Sequence, residues 1–267
     1  MENGRVYWSN WSGLTDVVSA MQVQRGLGAS KLAISSVGGT INVLTKSTEL
    51  TKGGKIAATV GNDGYMKTVM SYNTGEMEGG SALSFLFSRV EGDGYVNGTS
   101  FEGYNYFLGY GWQSDDDKHN VQVIVTGAPQ THNQRTSSYY NMATAADYEK
   151  YGIRYNYNHG FLNGQEFNWR RNFYHKPIAS VNWEYEINST TNLSASAYYS
   201  VGRGGGTGDI GRLGGNYASS SRFRSDITGE VEWDQIVRSN SGQGGNWSGG
   251  YSYNNVVDAA TGLYIVN

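Results

Sequence analysis

Apolar residues recur at every second position in a series of short segments, the period of a pleated strand. Ile56, Ala58 and Val60 share one face of the first. Gly61-Asn62-Asp63-Gly64 follows, a strong hairpin-turn string, and residues 65–72 return with weaker alternation. Leu83, Phe85 and Phe87 form the next face. Tyr104, Tyr106, Leu108, Tyr110 and Trp112 then alternate with Asn105, Phe107, Gly109 and Gly111. Val121, Val123 and Val125 continue the series. The two cleanest members come last: Ala179 to Ile187 against Ser180, Asn182, Glu184 and Glu186, and Leu193 to Val201 against Ser194, Ser196 and Ser200. About seven strands are expected. One of about ten residues rises roughly 33 Å and, tilted near 45°, spans about 25 Å, the height of an outer-membrane apolar band.

The connections alternate in length. Those after Tyr72, Gln113 and Ile187 are short turns. Those after Ser88, Thr126 and Val201 are longer, and the last two, 129–176 and 202–267, are very long. Short turns at one end and long loops at the other suit a transmembrane β-barrel; a soluble antiparallel sandwich or solenoid would also alternate. Strand signal in the tail is confined to 226–237. Ahead of the series, residues 1–20 hold Tyr7, Trp8 and Trp11 in a loop-like stretch and then a short helical piece. Residues 47–54 are a polar hinge.

Composition narrows the class. The 267 residues carry 38 glycines and 21 tyrosines but only 2 prolines, which favours a β protein with aromatic belts or long loops over a disordered linker. A net charge of −3 gives no reason to expect nucleic acid, and the absence of cysteine excludes disulfides and thiolate metal sites. No apolar run is long enough for a transmembrane helix, a result that membrane strands also produce. No signal-peptide pattern follows Met1.

The stretch 21–46 stands apart. It is rich in small residues, carries a lone Arg25, and ends in a β-branched run after the Gly38-Gly39 pair. Val23-Gln24-Arg25-Gly26, then Gly38-Gly39-Thr40-Ile41-Asn42-Val43, then Thr45-Lys46, resembles the C-terminal half of the plug domain of TonB-dependent outer-membrane receptors. Leu27 departs from the proline that often follows Arg-Gly in that family. The resemblance covers roughly a tenth of the chain. It implies an all-β fold: residues 1–52 as the end of a plug, and 53–267 as the first part of a large antiparallel transmembrane barrel with long outer loops. Such barrels have about 22 strands, so the chain is expected to be a fragment, with its true N-terminus and its TonB-contacting segment upstream. The resemblance makes Arg25, Gly26, Gly38, Gly39 and Asn42 plug residues. Arg25 would be held by acidic groups of the barrel's inner wall, with Glu184 and Glu186 as candidate partners.

Other motifs carry less. Gly206-x-Gly208-x-x-Gly211 matches a dinucleotide fingerprint as a string but lacks the helix and βαβ unit that give it meaning, so a loop is expected. Asp115-Asp116-Asp117 lacks the glycine and glutamate of a calcium loop and reads as a solvated turn. His119, His132, His159 and His175 are not at metal-ligand spacing, and no catalytic constellation can be assigned. The 129–176 stretch is dense in aromatic rings and arginines. Tyr139, Tyr140, Trp169, Arg170, Arg171 and Tyr174 suit stacking on a sugar or chelate and bonding its oxygens; the same rings also suit packing between loops.

These readings converge on active uptake of a scarce solute (siderophore, vitamin or oligosaccharide) across a bacterial outer membrane. The expected partners are the TonB energy-transducing complex, outer-membrane lipid and the solute, with no cofactor and no covalent chemistry. A structural or adhesive barrel and a secreted glycan-active β protein are the alternatives.

Overall fold

Strands whose two faces differ in character pair so that like faces align, and a one-residue slip would exchange the faces. The pairing here follows that rule throughout. The computed structural model describes residues 20–25, 39–44, 47, 50–135, 143–209, 211–248, 250, 252–253, 256–257 and 264–265. Up to residue 232 the strands are β1 (Ala20–Arg25), β2 (Gly39–Leu44), β3 (Gly53–Val60), β4 (Met66–Asn73), β5 (Ser81–Gly92), β6 (Phe101–Gln113), β7 (His119–Gly127), β8 (Gln130–Asn133), β9 (His159–Leu162), β10 (Gln165–Asn168), β11 (Arg171–His175), β12 (Ile178–Asn188), β13 (Thr191–Ser200), β14 (Arg203–Gly206) and β15 (Val231–Glu232). Helices α1 (Ala145–Tyr151) and α2 (Trp233–Asn240) are short.

The main sheet runs β13-β12-β7-β6-β5-β4-β3, every pair antiparallel, with β8, β11 and β14 extending one end of it. This is the order in which the alternating segments occur in the sequence. The β3–β4 turn closes as expected: Gly61 N–H donates to Tyr65 O at 2.9 Å, and Asp63 and Gly64 take φ of 56° and 68°. β5 and β6 are longer than their apolar alternation implies. Beyond it they stay paired through Arg89, Glu91 and Glu102.

The wall is inverted relative to a water-soluble sheet. Its exposed face carries Met70, Leu83, Phe85, Phe87 and Leu108, the last 54% exposed. Its covered face carries Ser84, Ser88, Asn105 and Gln122, with Ser88 and Asn105 at 0% and 5%. A small apolar cluster of Val69, Leu86 and Phe107 sits among them, with Ala57 and Ile124 against it. Register keeps Phe87 opposite Tyr106, Phe85 opposite Leu108, and Leu108 opposite Val125. Ser47 also lies on the covered face, where its N–H donates to Gln122 Oε1 at 3.4 Å.

Polar and aromatic rows bound the apolar band. At the end with long connections, Arg89 donates to Glu91 at 2.6 Å and to Glu102 at 2.8 Å, and the Tyr104 hydroxyl donates to Glu102 at 2.7 Å. At the other end His119 stacks on Tyr185 with centroids 4.3 Å apart, and Trp183 Nε1–H donates to His119 Nδ1 at 3.3 Å. From Tyr104 to Trp112 the strand climbs about 27 Å, or about 20 Å upright after tilting.

The two longest connections are not irregular loops. The 129–176 stretch holds β8, α1, β9, β10 and β11, and the tail holds β14, β15 and α2. Residues 226–237, where a strand was expected, are a turn, the two-residue β15 and the first half of α2. The helix forms there because Trp233, Ile236 and Ser239 recur every third residue and are buried. The Gly206-x-Gly208 string, expected as loop, begins in β14, which pairs with β11.

Candidate functional site

The site is built on a cap that folds around its own core. Leu213, Phe223, Val231, Trp233, Ile236 and Trp247 from the tail pack together, and Leu162 and Trp169 from the preceding connection pack on them. β10, β9 and β15 form a three-stranded sheet, with β15 parallel to β9. Any side chain at Gly160 would collide with the Val231 carbonyl, so that close approach requires glycine. α1 is fixed by a capping box: Thr144 accepts from Asp147 N–H, and Asp147 accepts from Thr144 N–H at 2.7 Å.

Arg224 joins the halves of the cap. It is 6% exposed, its guanidinium lies 3.4 Å from the Tyr157 ring centroid, and it donates to the carbonyls of Gly229, Ser219 and Tyr157. Tyr155 lies beside it and donates to Gly229 O at 2.8 Å; burial pushes its phenol up to about 12. The His159 imidazole is buried between two carboxylates, 3.0 Å from Glu166 and 3.5 Å from Glu230. The carboxylates approach opposite ring nitrogens, so the three do not converge on a point. Among the described residues no group of acids and histidines is placed to hold a metal ion.

Where the cap meets the wall, the contacts are polar. Asn156 donates to Asn97 O and Asn168 to Gly98 O, both at 2.8 Å, and Asn97 N–H donates to Arg154 O at 2.9 Å. Arg154 Nη1 donates to Asp63 Oδ1 at 2.6 Å, and its guanidinium lies 4.7 Å from the centre of the Tyr95 ring.

Against this seam lies an open cleft of about 420 Å³, lined by Tyr95, Val96, Thr99, His132, Asn133, Gln134 and Arg135. Its walls are the 93–100 connection and β8, held together by Asn133 N–H donating to Ser100 O at 2.9 Å. His132 pairs with Phe101, on the same side of the sheet as the covered face of β6. Partial burial lowers its imidazole below the usual histidine range. The lining therefore offers one fixed cation, Arg135, an aromatic ring, an imidazole and several amides and hydroxyls, and no carboxylate. Such a surface suits an anionic or hydroxyl-rich solute.

None of the described residues singled out from sequence as solute contacts or plug residues lines this cleft. Trp169 is half-buried against the cap core, with the exposed Arg170 guanidinium 5.1 Å from its ring centre. Arg171 begins β11, opposite Asn133, and is exposed. Tyr174 is half-buried in β11, paired with Gln130 and with Gly204, whose missing side chain its ring overlies. Tyr139 and Tyr140 lie outside the described residues, as do Gly26 and Gly38. Gly39 and Asn42 are in β2, opposite Arg25 and Gln22 of β1. The side chain of Arg25 is outside what is described. Glu184 and Glu186 are exposed on β12, on the side of Ser180 and Asn182. Tyr95, Thr99, Arg135 and Arg154 carried no signal in the sequence: the first two lie in the Gly/Asn-rich 92–102 connection and the other two in the 129–176 stretch, and neither has a period that links them. The Asp115–Asp117 turn is solvated as read, with Asp116 accepting from the Ser114 hydroxyl at 2.6 Å.

No protein-family profile matches the sequence, and no curated protein matches it. Solved structures do. The siderophore receptor PiuA from Acinetobacter baumannii matches with a TM-score of 0.54 and 13% identity over 71% of this chain and 27% of that one. The ferric-catecholate import receptor Fiu from E. coli, in its open form, matches with a TM-score of 0.51 and 13% identity over 69% of this chain and 28% of that one. The chain spans little more than a quarter of each receptor. The likeness is one of fold: an antiparallel β-sheet of the kind that forms receptor β-barrels.

Proposed function

We propose that the chain forms part of the wall and outer mouth of an outer-membrane β-barrel receptor that imports a small solute with energy supplied through TonB. The observation that carries this reading is the inverted wall. Large apolar side chains face outward in register, the inward face is mostly small and polar around one cluster of Val69, Leu86 and Phe107, and every long connection leaves from the same end. Lipid outside and a polar lumen call for that distribution. An exposed apolar face of this size in water would be an aggregation liability. In lipid the edges at β3 and β13 are paired with further strands, since no strand edge can stand open there.

In this reading residues 1–52 are the end of the plug and 53–267 belong to the barrel. Arg25, Gly26, Gly38, Gly39 and Asn42 shape the plug, and Ser47 against Gln122 is where its last segment meets the wall. The solute site is the cleft, with Tyr95, His132 and Arg135 as contacts and Tyr139, Tyr140, Trp169, Arg170, Arg171 and Tyr174 around it. A siderophore is the first solute to test, because the matched structures are a siderophore receptor and a ferric-catecholate import receptor and the cleft has a cation and no acid. The barrel performs no covalent chemistry.

Two experiments test the reading. Fractionation of cells producing the full-length gene product is expected to place it in the outer membrane, with heat-modifiable mobility on gels. Deletion of the gene is expected to abolish growth on one ferric siderophore as sole iron source in a strain with intact TonB. Recovery from the soluble fraction without detergent would end the proposal.

A further inference from the structure

Tyr95 belongs to two structures at once. Its ring lines the cleft, and it carries the Arg154 guanidinium at 4.7 Å. The other bond of that guanidinium goes to Asp63, in the β3–β4 turn of the wall, at 2.6 Å. Asp63 is rigidly placed. It occupies the left-handed region with φ of 56°, and its carbonyl accepts Asp93 N–H at 2.8 Å, at the root of the connection that holds Tyr95. Arg154 follows α1 in the cap, is half-exposed, and ties the cap to the wall turn.

We propose that Asp63, Arg154 and Tyr95 form a latch that couples the cleft to the cap, making the cap a lid. An anionic group entering the cleft beside Tyr95 competes with Asp63 for Arg154 and frees the cap from the wall turn. The inference rests on the cleft being the solute site. Its physical basis is twofold. The cap has its own core, separate from the apolar cluster of the wall, so it can shift without opening either. Within the seam the Arg154–Asp63 pair is half-exposed, so a competing anion can replace it at little cost, while the bonds of the buried Asn156 and Asn168 stay in place and the cap loosens only at the wall turn.

The test is hydrogen exchange on the full-length receptor in detergent, read over residues 145–168. Asp63→Asn is expected to speed exchange there about two- to five-fold, the range of a surface pair, while leaving 81–92 in the wall unchanged. Tyr95→Leu is expected to do the same, and the double variant to add little to either. Ferric tris(catecholate), as a trianionic probe, is expected to speed exchange in the wild type and not in Asp63→Asn; neutral maltotriose is expected to do neither. Unchanged exchange in Asp63→Asn overturns the latch, as does fully additive behaviour of the two variants or a probe effect that persists undiminished in Asp63→Asn. If the variants behave as stated but the probe does not bind, the latch stands and the reading of the solute as an anionic chelate falls.

Discussion

The wall and the cap solve opposite problems with the same alphabet. In the wall, Phe85, Phe87 and Leu108 are exposed while Ser84, Ser88 and Asn105 are covered. In the cap, Phe223, Val231 and Trp247 are covered, and Arg212, Arg238 and Glu149 are exposed. On the proposed reading of the wall as part of a membrane barrel, the difference teaches that each region hides what its own solvent disfavours. A cap in water gains by hiding rings, at about 25 cal/mol per Å². A wall that stands in lipid, as proposed, would gain nothing by hiding them and must instead pair its backbone groups, as the ladders between β3 and β13 do.

The largest effect expected from breaking this contrast is in the cap core. Phe223→Ala removes a fully buried ring and should cost about 3–5 kcal/mol, enough to unfold the cap. Limited proteolysis is then expected to cut within 143–248 while the 53–127 wall stays resistant. Simultaneous loss of the wall would mean that the two regions are one cooperative unit. Next comes the wall's outer face. Leu108→Arg places a charge in the middle of the apolar band and should cost about 2–4 kcal/mol of stability in lipid. Phe161→Arg, at a similarly exposed site in the cap, should cost almost nothing. Equal effects in a urea titration in liposomes would erase the distinction between the two surfaces.

A smaller effect is expected at high pH. Tyr155 has a phenol raised to about 12 by burial, against 10 in the unfolded chain. Its contribution is complete below pH 10 and is lost as pH rises from 10 to 12, because the unfolded state releases the proton first. Cap stability should fall by up to about 1.4 kcal/mol per pH unit across that window, and Tyr155→Phe should flatten the slope while losing the hydroxyl's bonds to Gly229 O and Arg224. A slope unchanged in Tyr155→Phe would assign the effect elsewhere. The smallest effect is at Gly109. A methyl group there would meet the Ser47 hydroxyl and the Phe107 ring. Gly109→Ala is expected to speed amide exchange at 47–50 a few-fold and leave barrel formation intact; no change at all would show that Ser47 is not held by the wall.

Legibility divides along the same line. The seven-strand path of the wall was readable because alternation at Leu83, Phe85 and Phe87 or Ala179 to Ile187 is a local property with a fixed period. Trp169 shows what was not readable. It looked like part of an exposed aromatic cluster, and it became half-buried only because Phe223 and Trp233, more than fifty positions along the chain, bring a core to it. The stretch 226–237 was expected as a strand for a related reason. Val231 does pair with Gly160, but Trp233, Ile236 and Ser239 find their partners only when wound as a helix. The cleft was unreadable altogether, since Tyr95, His132 and Arg135 come from two connections with no period to link them.

By itself the sequence determined the seven strands of the wall, their order, the tight turn at Asp63-Gly64 and the end from which the long connections leave, because each depends on neighbours a few residues apart. The tertiary structure alone decided that the long connections condense into a cap, that Arg154 reaches Asp63, and that Tyr95 and His132 face one cleft. Those contacts join residues tens of positions apart, and they exist only after the sheet has brought its turns together.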